Sequence, residues 1–333
     1  MKYFLALAIL GVVSLILSLC LTKILLRVLT SYGVVDVPSN RRTHVKTTPR
    51  GGGLGFVIIF ITLLPAFVYY RFGTIEYVNT VLQIFLPLAL VSFWDDISHV
   101  NIPIRLIIHV LCSVLAIMWL IHPKTILHSE MPIYLDLVIG AIALLTFLNV
   151  YNFLDGIDGI TVSETIHLSL TLLILCFLGY DSIPNVDMII VIDVIILGWA
   201  VGFLFFNWQP AKIFLGDIGS ISIGFLLGVC LLTVATVGPR FFTACVIAAL
   251  YYIADGGLTI LIRIVKGEKI WEPHLQHFFQ KSVKKGRSHK RVVKRIIKCN
   301  FLLMMFAIAA LYYPLVSVIG ALLVVIVTLI RSV

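Results

Sequence analysis

Carboxylates and amides that recur at a short interval are the residues of this sequence best suited to chemistry. Segment 149–159 reads Asn-Val-Tyr-Asn-Phe-Leu-Asp-Gly-Ile-Asp-Gly, so a polar residue stands at every third position from Asn149 to Asp158. If one helix continues through the segment, Asn149, Asn152 and Asp155 lie within about 120° of one another around its axis. This stripe is either a polar seam between helices or part of a site, and the two carboxylates favour a site.

A second group stands where one apolar run ends and the next begins. Gly216, Asp217, Gly219 and Ser220 fall at the predicted start of a helix. Free backbone N–H groups at a helix start attract anions, and the carboxylate and hydroxyl lie beside them. The segment is therefore either a phosphate and metal site or an ordinary turn with an aspartate cap.

Asp95 and Asp96 close another apolar run. Adjacent side chains on a helix diverge by about 100°, so one carboxylate can face a reactant while its neighbour supports it. The alternative is a solvated helix end. The loop 36–53 combines Asp36, several basic residues and three successive glycines, which indicates either an anion-binding loop or a plain basic loop beside a membrane.

Two histidines stand late in the chain. Pro273 is a residue type that starts helices well, and a helix from there places His274 and His277 one turn apart on one face. Neutral imidazoles can donate to phosphate oxygens or bind zinc. A third zinc ligand at a telling spacing is missing from the sequence, which favours the phosphate interpretation.

The elements that position these groups must lie in a membrane. Of 333 residues, 60% are apolar and 12% are charged, with a mean hydropathy of +1.09, whereas a soluble domain carries about 25% charged residues. The six cysteines are scattered singly, which excludes a disulfide framework and a cysteine metal site. We expect an all-α polytopic membrane protein with a single domain over residues 1–333.

The apolar runs predict eleven transmembrane helices, or ten if the last two form one. With the N-terminus outside, 21 of the 25 Lys and Arg lie inside, so the positive-inside bias fixes the orientation. The aspartates above then share the cytoplasmic face of the membrane. The runs are 3–28, 52–71, 77–94, 102–121, 133–153, 162–179, 188–206, 215–237, 240–264, 293–312 and 314–331.

The net charge of +9 is concentrated beside the spans. Nine of the basic residues lie between Lys281 and Lys298. Such clustering predicts attachment to anionic membrane lipids, with attraction of an anionic substrate as a second benefit, and not nucleic-acid binding.

Several carboxylates beside a phosphate-friendly helix start favour Mg²⁺-dependent chemistry on a phosphorylated substrate, because Mg²⁺ takes one or two carboxylates together with substrate phosphates. A transporter or flippase of an anionic lipid or nucleotide sugar is the alternative from another class. It requires polar groups on the outer side, and segments 122–132, 180–187 and 238–239 hold no comparable cluster.

Taken together, these motifs resemble the polyprenyl-phosphate N-acetylhexosamine-1-phosphate transferases, which belong to glycosyltransferase family 4. The resemblance spans nearly the whole chain. It rests on Asp95-Asp96, on Asn149-x-x-Asn152-x-x-Asp155-Gly-x-Asp158-Gly, on Asn207 with Phe214-Leu-Gly216-Asp217-x-Gly219-Ser220, and on a late His-x-x-His.

The resemblance implies a multi-pass phosphotransferase of the bacterial cytoplasmic membrane. It would transfer a sugar 1-phosphate from a UDP-N-acetylhexosamine to undecaprenyl phosphate and release UMP, with Mg²⁺ or Mn²⁺ and with a homodimer as the assembly. Asp217 resembles the metal ligand, and Asp95 resembles the base that deprotonates the lipid phosphate, with Asp96 in support. The implied substrate-binding residues are Lys46, Arg50, Asn149, Asn152, Asp155, Asp158, Asn207, Lys212, Phe214, His274 and His277.

Within that family the histidine segment differs from two branches. The chain lacks the three adjacent histidines of the peptidoglycan-precursor enzyme, phospho-N-acetylmuramoyl-pentapeptide transferase, which stays an alternative. It also lacks the His-x-His-His of the enterobacterial-antigen and teichoic-acid enzymes. His274-Leu-Gln-His277-Phe-Phe-Gln is closer to the branch that initiates O-antigen or similar glycans, with UDP-GlcNAc or a 6-deoxy UDP-N-acetylhexosamine as donor.

Overall fold

The computed structural model describes residues 2–37, 47–98, 100–128, 132–269 and 274–332, and these residues are almost entirely helical. One short antiparallel pair, β1 (Val35–Asp36) and β2 (Thr48–Pro49), is the exception. The helices are α1 (Lys2–Ser31), α2 (Leu54–Phe72), α3 (Glu76–Ser98), α4 (Ile102–Ala116, continued by a π-helical turn at Ile117–Ile121), α5 (Ile133–Phe153), α6 (Ile160–Leu178), α7 (Val186–Asn207), α8 (Asp217–Ala235), α9 (Pro239–Ala248), α10 (Leu250–Val265), α11 (Phe278–Lys284), α12 (His289–Ala309) and α13 (Pro314–Ile330).

Helix α8 forms the centre of the bundle. It packs most extensively on α5 and α3, and 94% of its most apolar stretch is buried. Small residues make this possible: a Cβ on Gly224 would lie 2.9 Å from the Cβ of Tyr151, and one on Gly228 would lie 2.6 Å from Leu144. Close backbone approach at small residues is the usual way in which helices associate within a membrane. The first residue of α8, Asp217, is held in place by this packing.

Helices α1 and α7 form the most extensive contact of the fold. Ser14 and Ser18 of α1 donate hydrogen bonds of 2.7 and 2.8 Å to carbonyl oxygens of α7. Opposite them stand Gly198 and Gly202, where a Cβ would approach α1 to within 2.4 and 2.7 Å. Two pairs of small residues, each four apart, therefore bring these backbones together.

Among the described residues, eight helices are long and apolar enough to cross a membrane, or nine if α9 and α10 form one bent span. These two helices meet at an angle of 69°, so the run 240–264 is not one straight helix. Asp255 and Arg263 lie on the buried face of α10 and bind the backbone of residues 278, 279 and 269. The predicted count of eleven spans and the predicted orientation stay predictions.

The polar stripe does not continue as one helix. Helix α5 ends at Phe153, and a left-handed Gly159 (φ 77°) precedes α6. A Cβ on Gly156 would lie 2.9 Å from the ring of Phe279, which only glycine avoids. Asp155 and Asp158 consequently lie in a loop between two helices, and the helical interpretation holds only for Asn149 and Asn152.

Candidate active site

The two aspartates that end α3 meet the first residue of α8. The Asp96 carboxylate accepts the backbone N–H groups of Asp217 and Ile218 at 2.9 and 3.0 Å. Asp96 therefore caps α8 from a neighbouring helix, and its side chain is only 1% exposed. Two of the free N–H groups predicted to bind a ligand are thus used within the protein.

Arg50 joins these two carboxylates. Its Nε lies 2.9 Å from Asp96 Oδ1, and its Nη2 donates to Asp217 Oδ1. Burial alone would lower the pKa of Arg50, but the charges of Asp217 and Asp96 outweigh it and raise that pKa, so the guanidinium stays charged. The backbone fixes its position, because Phe214 N–H donates to Pro49 O at 2.8 Å and Gly52 N–H donates to Phe214 O at 2.9 Å.

Arg105, from α4, is a second cation at the same place, and the sequence analysis missed it. Its Nη1 donates to Asp95 Oδ2 and lies 3.2 Å from Asp217 Oδ2. Asp95 is also held by the backbone N–H of Val100 at 2.7 Å. Arg105 could have been predicted from the sequence, because it is the one Lys or Arg within the apolar run 102–121.

A cavity of about 250 Å³ opens beside this cluster of charges. It brings together residues separated by more than 200 positions in the chain. Neither Asp95 nor Asp96 belongs to its lining, and each contacts an arginine that pairs with Asp217, which does line it. The sequence-predicted residues that line it are Arg50, Asn152, Asp155, Asp158, Asn207, Phe214, Asp217 and His274.

Two of the lining amides also hold the cavity wall. Asn207 receives the backbone N–H of Gly159 on its Oδ1 and donates from Nδ2 to Ile213 O, each at 3.0 Å. It therefore ties the loop after α5 to the loop before α8. Asn152 accepts the hydroxyl of Ser220 at 2.9 Å, which fixes α5 against the first turn of α8.

The Asp158 carboxylate is held from two sides. Ala211 N–H donates to Oδ2 at 3.1 Å, and the imidazole Nδ1 of His289 lies 3.2 Å from Oδ1. His289 is the first residue of α12 and is 6% exposed. The sequence analysis did not single it out, because nothing in its local pattern relates it to a residue 131 positions earlier.

The two late histidines differ in their surroundings. His274 lines the cavity, and burial, with the nearby charges of His277 and Arg263, lowers its pKa to about 4, so it is neutral at physiological pH. His277 is 1% exposed and caps α11 through its contact with Gln280. Its Nδ1 lies 3.3 Å from Asp255, so it contributes to the wall and does not line the cavity.

Three other predicted binding residues lie apart from the cavity or outside the described residues. Asn149 faces His109 at 3.3 Å and donates to Leu145 O at 2.7 Å. Lys212 is exposed and is not part of the lining. Lys46 lies outside the residues that the structure describes.

Comparison with known proteins relates this geometry to a family. Residues 78–235, which include both aspartates of α3 and Asp217, match the family described as "Glycosyl transferase family 4". Over 90% of the chain and 83% of the relative, the sequence is 25% identical to a "Probable undecaprenyl-phosphate N-acetylglucosaminyl 1-phosphate transferase" of Bacillus subtilis (strain 168). It is 27% identical to a "Phospho-N-acetylmuramoyl-pentapeptide-transferase" of Syntrophus aciditrophicus (strain SB), over 79% of the chain and 80% of the relative.

The resemblance to glycosyl transferase family 4 is confirmed over residues 78–235 of the chain. The protein is an enzyme of the transferase class and a multi-pass protein of a bacterial inner membrane. The assignment as an enzyme replaces the alternative of a transporter or flippase. The matched residues extend from α3 to α8, and this part carries the charge cluster apart from Arg50, together with most of the cavity lining.

The donor set of the cavity suits a divalent metal ion of the kind expected in this family. Asn152, Asp155 and Asp217 offer oxygen ligands only, which is what Mg²⁺ prefers. Burial, together with the negative charge of Asp217, raises the pKa of Asp155 to about 6, so a cation here would stabilise its ionised form. The described residues hold no group of three His, Cys, Asp or Glu placed to bind an ion alone, so substrate phosphates would have to complete the ligand set.

Proposed function

We propose that this enzyme transfers N-acetylhexosamine 1-phosphate from a UDP-sugar to undecaprenyl phosphate, releases UMP and thereby starts a lipid-linked glycan of the cell envelope. The proposed donor is UDP-GlcNAc or a 6-deoxy UDP-N-acetylhexosamine, and the proposed pathway is O-antigen synthesis or a similar one. The observation that carries the proposal is the convergence of Arg50 and Arg105 on Asp217 at one end of a polar cavity within a membrane bundle.

The reaction exchanges one phosphoanhydride bond for another. An oxygen of the lipid phosphate attacks the β-phosphorus of the donor, the bond from that phosphorus to the bridging oxygen breaks, and UMP leaves with the electron pair. Positioning and charge neutralisation account for most of the catalysis in such transfers. Bound Mg²⁺ or Mn²⁺ would neutralise negative charge on the diphosphate.

The chain's own residues supply the rest of the mechanism. Arg50 and Arg105 place two fixed positive charges at the end of the cavity, where charge develops on the phosphoryl oxygens. Asp95, which we expect to receive the proton of a protonated lipid phosphate, contacts Arg105 directly. On the nucleotide side, Phe214 offers a ring for stacking on the uracil, with Asn152, Asp158 and Asn207 around it.

A covalent route is the competing mechanism. In it an aspartate would first take the sugar phosphate, and the lipid would displace it in a second step. Incubating the purified enzyme with a donor labelled in its β-phosphate, without acceptor lipid, separates the two. Direct attack predicts no label on the protein, and a trapped aspartyl phosphate would require the two-step route.

The activity itself is tested by UMP release. Purified enzyme would receive undecaprenyl phosphate, Mg²⁺ and in turn UDP-GlcNAc, a 6-deoxy UDP-N-acetylhexosamine and UDP-N-acetylmuramoyl-pentapeptide. We expect release with one of the first two that depends on lipid and metal, and a loss of at least about 100-fold in Asp217→Asn, because that variant removes a charge at the reacting phosphates.

Turnover of only the pentapeptide donor would establish phospho-N-acetylmuramoyl-pentapeptide transferase activity instead. This activity remains the alternative because proteins with that name are among the relatives. Folded protein that releases no UMP with any donor would contradict both versions. Thermal unfolding of Asp217→Asn beside the wild type shows whether its loss of activity is chemical or structural.

A further inference from the structure

Three arginines meet at one end of the last two long helices, and none of them lines the cavity. Arg287 precedes α12, Arg295 lies on α12, and Arg331 follows α13. The Nη1 atoms of Arg287 and Arg295 each donate to the carbonyl oxygen of Arg331 at 2.6 Å. These three residues are called the arginine cluster below.

Within the described residues, the arginine cluster has positive charge without a matching carboxylate. No acidic residue follows Glu272 in the sequence. In the described part of the chain, the other contact of these guanidiniums is the hydroxyl of Ser282, 2.9 Å from Arg287. Two cations that share one neutral carbonyl oxygen repel each other, and the partial negative charge at the end of α13 offsets only part of this repulsion.

The position of the cluster along α12 matches the level of lipid headgroups. At the opposite end of α12 and α13, Tyr312 and Tyr313 are 64% and 70% exposed, as is usual for aromatic residues at a membrane interface. The apolar helix α13, with 17 residues between Tyr313 and Arg331, is about 25 Å long, close to the thickness of the hydrocarbon core. The arginines therefore lie at the other interface, on the same side as Asp158 and the cavity.

We propose that the arginine cluster binds the phosphate group of an anionic diacyl phospholipid. A guanidinium presents several N–H donors in a plane that fits phosphate oxygens. Here two such groups stand side by side, and the residues that the structure describes take up only a minority of their donors. The cluster does not share a residue with the cavity, which favours a resident phospholipid over the polyprenyl acceptor. This site lies beyond the proposed transfer reaction and does not depend on it.

The test is native mass spectrometry of the full-length protein released from micelles containing phosphatidylglycerol or phosphatidylcholine. The variant is Arg287→Gln with Arg295→Gln. Its matched control is Lys284→Gln with Lys294→Gln, which removes the same charge from two exposed residues of the same basic segment. We expect the wild type and the lysine variant to retain phosphatidylglycerol and the arginine variant to bind it at least about tenfold more weakly.

Equal loss in both variants, or retention by the arginine variant, would contradict the proposal, since the attraction would then be a general effect of the basic segment. Displacement of phosphatidylglycerol by undecaprenyl phosphate at equal concentration, or by millimolar inorganic phosphate, would also contradict it. The double substitution Arg287→Lys with Arg295→Lys keeps the charge and the fold, and we expect intermediate binding because the planar donor pair is lost.

Discussion

At the scale of single residues, the site is a balance of three carboxylates against two arginines. Asp217 receives both guanidiniums, while Asp95 and Asp96 each hold one of them. Because both arginines already contact Asp217, its carboxylate can bind a cation only if the phosphates of the substrate draw the arginines away from it. We therefore expect the donor diphosphate to compete with Asp217 for Arg50 and Arg105, which makes each arginine important for the reaction.

Arg105→Ala should lower kcat/KM by about 100-fold, because it removes a positive charge that contacts Asp217 and leaves Asp95 without its partner. Arg105→Lys should recover only part of the loss, since the ammonium lies on a shorter side chain than the Nη1 atom that contacts Asp95 and Asp217. UMP release measures both variants. Arg240→Ala, an exposed arginine distant from the cavity, is the control and should match the wild type.

Asp155→Asn should reduce activity and raise stability at the same time. The pKa of Asp155 is raised to about 6 in the folded protein, so its ionised form is disfavoured by folding. The free-energy cost of keeping Asp155 ionised in the folded protein is complete above pH 6. It disappears as the pH falls toward the ordinary pKa of an aspartate, near 4. Thermal unfolding in detergent without metal should show a higher Tm for the variant at pH 7.5 and no difference at pH 4.

An equal Tm difference between Asp155→Asn and the wild type at pH 7.5 and at pH 4 would mean that the gain in stability is not electrostatic. The same measurement on Asp181→Asn, in the connection between α6 and α7, provides the control, because that aspartate is exposed and distant from the cavity.

At the scale of elements, small residues decide how closely the helices approach. Gly224 and Gly228 set α5 against α8, and Gly198 and Gly202 set α7 against α1. Asp217 is the first residue of α8, and Asn152 is in the last turn of α5. A change of a few tenths of an ångström in the packing of these helices therefore moves ligands of the same cavity.

Gly198→Ala should destabilise the folded protein by about 1–3 kcal/mol, since its Cβ would lie 2.4 Å from a backbone oxygen of α1 that has no room to move. The matched control is Gly257→Ala in α10, where a Cβ meets no atom within 4 Å. That control should be neutral or slightly stabilising. Thermal unfolding of the two variants distinguishes close packing from a general effect of replacing glycine.

At the scale of the whole molecule, the bundle places its polar cavity at one end of membrane-spanning helices and its basic segment on the same side. This arrangement suits a reaction between a soluble nucleotide sugar and a lipid phosphate. The direction of insertion is decisive for the proposed function, because a nucleotide-sugar donor would have to reach the cavity from the cytoplasm.

The predicted orientation is tested by cysteine labelling in intact cells. Five of the six cysteines are buried, and Cys20→Ser removes the exposed one. In that background, Lys124→Cys should react with a membrane-impermeant maleimide from outside. Lys212→Cys should react only after the membrane is permeabilised. The reverse pattern would refute the orientation derived from the positive-inside bias.

The sequence by itself determined the membrane class, the approximate limits of most apolar helices, and the aspartates of the candidate site. Hydropathy and helix starts depend on residues that are neighbours in the chain, so the local sequence is enough to predict them. The resemblance to the family followed from the same motifs and was confirmed by comparison over residues 78–235.

Only the tertiary structure decided the roles of individual side chains. It added Arg105 and His289, made Asp96 a cap for α8, and placed His277 in the cavity wall. It also ended α5 at Phe153, because the loop that follows must pass close to α11. These facts depend on contacts between residues more than 100 positions apart or on bends in the backbone, and burial and charge at such contacts arise only once the helices pack.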